Sequence, residues 1–142
     1  MRYICDAPDG KTWFRMETEA EAIAESELMH HAVEKYFRRE TEKATATFKP
    51  SPGGAVFEQQ IGLKAHLQQE MPLFLTVRDG EGNGLVTAML PPQGQDGGPF
   101  RPIVVGPENK DPYPEHGEAI AALGLHFNIS LGRDRCFPYR RD

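Results

Sequence analysis

Leu73-Phe74-Leu75-Thr76-Val77 and Leu85-Val86-Thr87-Ala88-Met89-Leu90 flank the tip Asp79-Gly80-Glu81-Gly82-Asn83-Gly84. Two apolar, β-favouring runs around a glycine-rich tip predict a hairpin. Their near-continuous apolar character predicts strands inside a sheet rather than on its wet edge. The rest of the chain is read outward from this pair.

Toward the amino end, Arg2 to Met16 reads as another hairpin. Tyr3-Ile4-Cys5 and Thr12-Trp13-Phe14 are extended runs joined by Pro8-Asp9-Gly10, where proline fixes φ and glycine permits a positive one. The single tryptophan is expected in the core or on a sheet face. Thr18-Glu19-Ala20-Glu21 is a capping-box signature, and it predicts one long helix running to about Lys43. Ala22, Ser26, Met29, Val33 and Tyr36, with Phe37 beside them, form its apolar stripe. Glu27, His31, Glu34, Lys35 and Arg38 then fall on a wet face. Glu19, Glu21, Glu25 and Glu27 precede Lys35, Arg38, Arg39 and Lys43, an order that suits the helix dipole. Phe48 to Gly54 is a loop, and Ala55 to Glu70 predicts a second helix, with a strand over Val56 to Leu63 as the alternative.

Toward the carboxyl end, Pro91 to Pro102 (PPQGQDGGPFRP) predicts an exposed loop. Ile103-Val104-Val105 predicts a short strand, followed by a loop from Gly106 to Pro114. A helix is expected from Pro114, with Gly124 closing it. Leu125, Phe127, Ile129 and Leu131 alternate with His126, Asn128 and Ser130, which predicts a half-buried strand. Together these elements predict an α+β fold. It has a mostly antiparallel sheet of about five or six strands, a long N-terminal helix, and one or two further helices packed on one face.

At 142 residues, 39% hydrophobic and 26% charged, the chain is expected to be a single α+β domain over residues 1–142. A short basic C-terminal tail, 132–142, is read as a solvated end. It carries Arg133, Arg135, Arg140 and Arg141, diluted by Asp134 and Asp142. The net charge of −5 and the scatter of basic residues argue against nucleic acid as a partner. No apolar run reaches the roughly 18–20 residues of a membrane span. The opening MRYICDAPDG lacks a secretory pattern, so a cytoplasmic location is expected. Cys5 and Cys136 are then expected as reduced thiols.

Four groupings carry potential chemistry. Glu27, His30, His31 and Glu34 have helical metal-ligand spacings, but matching ligands on other long helices are missing, so no metal is expected. The glycines of 80–84 and 94–98 lack the strand-glycine-helix order of a nucleotide cradle, so no cofactor is expected. No nucleophile elbow occurs, and the catalytic residues stay unassigned. Asp111, Glu115 and His116 fall in one loop-to-helix region, while His126 and Asn128 share one face of the expected last strand.

The sequence therefore predicts a non-catalytic protein acting by protein–protein contact or homo-oligomerisation. The alternative is a small-ligand binder or enzyme with its pocket between the sheet and loops 91–102 and 106–114. Asp111, His116 and His126 are its candidate polar residues, and Arg101 its candidate anion contact.

Overall fold

A computed structural model of the chain describes residues 1–140. Arg141 and Asp142, counted above in the basic tail, lie outside the described residues. The strands are β1 (Arg2–Ala7), β2 (Lys11–Met16), β3 (Leu73–Arg78), β4 (Gly84–Leu90) and β5 (Ile103–Val105). They form one antiparallel sheet in chain order, β1-β2-β3-β4-β5. Both predicted hairpins are present, and β3 and β4 occupy the interior of the sheet as their apolar runs require.

Alternation along the strands gives the sheet two buried faces. Trp13, Leu75, Val77, Val86, Ala88 and Val104 share one core with Ala119, Ile120 and Leu123 of helix α4 (Tyr113–Phe127). The Trp13 indole also donates to the Ala119 carbonyl at 2.8 Å, which satisfies its one polar atom. Met16, Phe74 and Met89 belong to the other core, with Ala22 of α1 (Glu19–Met29) and Val33 and Phe37 of α2 (Val33–Ala46). Helices therefore cover both faces rather than one. Helix α3 (Val56–Glu70) leans on the end of α2, where His66 Nε2 lies 3.0 Å from the Ala44 carbonyl.

The single long helix expected to Lys43 is two. The Thr18–Glu21 capping box forms as expected, but His30 takes a left-handed conformation (φ 54°, ψ 51°) and its N–H bonds back to Ser26. Two side-chain contacts reward this break. His31 turns onto the sheet to meet Thr87. Ser26 Oγ, from α1, accepts the Glu34 N–H at 3.2 Å, one of the free donors at the start of α2. Ala32, at the cap position, has no side-chain oxygen to do this. Tyr36, placed on the apolar stripe by spacing, is exposed instead.

The strand expected over Leu125 to Leu131 does not form. Helix α4 continues through Phe127, and Asn128, with φ 56°, ends it by donating its N–H to Gly124 and Leu125 carbonyls. Leu125 is 85% exposed, whereas Ile129 and Leu131 are buried. The chain doubles back so closely that a Cβ on Gly124 would lie 2.7 Å from the Ile129 carbonyl oxygen. Period-two spacing here records a return across a glycine, not a pleat. The Pro91–Pro102 loop contains a 3₁₀ turn at Pro92–Gly94 and buries Pro91 and Gly94.

The basic tail is not a loose solvated end over its described part. Cys136 is fully buried, and Phe137 bridges in parallel to Ile103. The Phe137 N–H donates to Pro102 at 2.9 Å, and its carbonyl accepts from Val104 at 3.0 Å. Arg133 bonds Asp111 at 2.8 Å and lies over the Tyr139 ring. Cys5, half-buried, and Cys136, buried, are not bridged.

Candidate ligand pocket

Thr76 and Thr87 interrupt the apolar runs of β3 and β4 at paired positions of the register. With Phe74 and Met89 they face α1 and α2, and both are buried. Buried hydroxyls require partners: Thr76 finds Arg78 of its own strand, and Thr87 finds Glu25 of α1 and His31 of the helix break.

Glu25, on the inner side of α1, has no solvent exposure at all. Its Oε1 accepts from Arg78 Nη2 at 2.5 Å, and its Oε2 accepts from the Thr87 hydroxyl at 2.6 Å. Arg78 is held in turn by its Nε bond to Thr76 Oγ1 at 3.1 Å. A carboxylate this deep would cost several kcal/mol unpaired. Here both oxygens are engaged and the guanidinium supplies the opposing charge.

His31 Nε2 lies 2.8 Å from Thr87 Oγ1. The hydroxyl has one proton and gives it to Glu25, so toward His31 it acts as acceptor. That assigns the ring proton to Nε2 and leaves Nδ1 as a bare acceptor in the neutral ring. Nδ1 is buried and has no hydrogen-bond partner. Burial pushes the His31 pKa below its ordinary value, and the nearby Glu25 and Glu34 carboxylates only partly oppose this. The Ser26 hydroxyl donates to Glu34, and this bond, ahead of the Lys35 and Arg38 charges, keeps the Glu34 carboxyl below the usual range.

In front of this relay is a cavity of about 380 Å³. Its floor is Thr87, Met89 and His31. Val33 and Tyr36 of α2 form one wall, Ile103, Val105, Phe137 and Pro138 another, and Asn109 closes the loop side. Two of the segments that build it depart from the sequence reading, the helix break and the docked C-terminal stretch, while β4, β5 and the loop carrying Asn109 lie where it placed them.

The residues singled out in the sequence are not gathered there. Asp111 accepts the Tyr113 N–H at 3.0 Å and pairs with Arg133, which together hold its carboxyl below the ordinary range. His116 sits beside Lys11, its Nδ1 3.4 Å from Nζ, and 3.8 Å from Glu115. Burial, then the lysine charge, lowers its pKa. His126 is exposed and meets Phe127 edge-on. Arg101 borders a separate 230 Å³ cleft with Arg135 and Arg140. Of loops 91–102 and 106–114, only the second contributes to the pocket. Glu27 and His30 are exposed, and among the described residues no group of three or more histidine, cysteine or acidic side chains is placed to hold a metal.

Sequence reasoning missed Glu25, Arg78 and Thr87. A usable signal existed for two of them. Glu25 lies three residues from Ala22 and four from Met29, within the same stripe, and Thr87 breaks an otherwise apolar strand.

No protein-family model matches the chain, and neither a curated protein nor a solved structure is similar to it.

Proposed function

We propose that the protein binds a small molecule in the cavity between the α1–α2 junction, the sheet and the docked C-terminal segment. One observation carries the reading: an Arg78–Glu25–Thr87–His31 relay, buried at Glu25 and Thr87, ends at the floor of a mostly apolar pocket. A buried ion pair is a weak source of stability, and polar groups converging on an apolar cavity are the usual anatomy of a binding site. The volume falls within the range such sites occupy, about 300–1,000 Å³. A fragment screen read by methyl NMR tests this. The Met89, Ile103 and Val105 methyls should shift together, while Leu125, exposed on the opposite side, stays still. Hits that move Leu125 and spare the pocket would refute the assignment.

A second reading has its own support. Helix α3 has no fully buried residue, and Val56, Phe57 and Ile61 are 71%, 70% and 54% exposed. Such a row suits protein–protein contact or homo-oligomerisation. Sedimentation of the parent and of Ile61→Glu tests it: a parent that remains a monomer at high concentration removes the self-association half.

A further inference from the structure

Resting on the pocket reading, we infer that the ligand is a neutral aromatic molecule bearing an O–H or N–H donor, seated against the Thr87–His31 end of the cavity. Charge is the first discriminator. None of the residues lining the cavity is Lys, Arg, Asp or Glu. The ionised groups nearest it are Glu25, paired to Arg78, Glu34, beside Lys35 and Arg38, and Arg39, whose guanidinium lies over the Tyr36 ring. An anion would meet no charged side chain among the lining residues, and the Glu25 carboxylate behind the floor.

Hydrogen-bond polarity is the second. Thr87 has given its only proton to Glu25, and His31 Nε2–H has been given to Thr87. The floor therefore offers an acceptor, the remaining lone pair of Thr87 Oγ1, and no free donor from Thr87 or His31. A bound group that also only accepts gains nothing from Thr87 or His31. Shape is the third. Tyr36, Phe137 and Pro138 contribute rings to the lining, and the volume well exceeds the roughly 150 Å³ that holds benzene in an engineered apolar cavity.

Three two-ring probes separate these elements: 2-naphthol, 2-methoxynaphthalene and 2-naphthoate, titrated by fluorescence and mapped by methyl NMR. The naphthol should bind most tightly, the methyl ether about 3–10-fold more weakly for its lost hydrogen bond, and the carboxylate weakest. Thr87→Val, which removes the Oγ1 acceptor, should narrow the gap between naphthol and its ether. Ile103→Trp, which fills the cavity, should abolish all three. An ether that binds as well as naphthol to the parent protein, or a carboxylate that binds best, overturns this inference while the pocket reading stands. Binding that survives Ile103→Trp, or no binding by any probe, overturns both. The comparison among probes on the parent protein needs no variant to fold.

Discussion

The two faces of the sheet solve burial in opposite ways. Against α4, Trp13, Leu75, Val77, Val86, Ala88 and Leu123 make a mostly apolar core, with the Trp13 indole N–H donating to the Ala119 carbonyl. Against α1 and α2, the same two central strands contribute Thr76, Thr87 and Arg78, and the helix supplies Glu25. Apolar packing tolerates exchange of similar volumes. A buried ionic relay tolerates none that removes a single partner. Both faces carry an apolar core, and the second adds a buried carboxylate paired to a guanidinium.

Removing one charge from the relay should give the largest effect. Arg78→Ala leaves Glu25 buried without its cation and should cost about 3–5 kcal/mol in urea unfolding. Replacing Glu25 and Arg78 together by methionine should recover most of that loss. If the double variant is as unstable as the single one, the relay is a major structural support and the contrast between the faces fails. On the apolar face, Leu123→Ala should cost about 3 kcal/mol through the cavity it opens, with no change in the pH dependence of unfolding.

Acid should separate the faces further. His31 has a folded-state pKa below its ordinary 6.5, chiefly from burial, with Glu25 and Glu34 opposing and Arg78 paired to Glu25. The unfolded chain thus binds the proton more readily, so stability is full above about pH 6.5 and declines as pH falls from there through the folded value. His116, lowered by burial and Lys11, adds a slope of the same sign. The difference between parent and His31→Asn isolates the His31 share, and parallel curves would show that it has none. The smallest effect sets a yardstick on an exposed polar device of the same helix: Thr18→Ala, which breaks the capping box, should cost about 1 kcal/mol.

How far the sequence could be read follows from this division. The β3–β4 hairpin and the Arg2–Met16 hairpin were legible because alternation, turn residues and burial all agree locally. The helix break was not, because the left-handed His30 is fixed by tertiary contacts: His31 to Thr87, and Ser26 to Glu34. The false strand at Leu125–Leu131 came from a spacing that a helix, a left-handed Asn128 and a returning segment produce together. For the pocket, residue types were visible but their meeting was not. Glu25, Thr87 and Phe137 lie far apart in sequence, and only the strand register and the docked C-terminal stretch bring their segments together.

The Phe137 bridge to Ile103 has a consequence for how copies of this chain can join through their backbones. It occupies the outer margin of β5, so β1 is left as the sheet's other border. Amyloid-like growth needs two receptive borders, one to give and one to take. With the outer margin of β5 bridged at Ile103, backbone pairing of copies would have β1 to use, a border that joins two chains about a twofold axis.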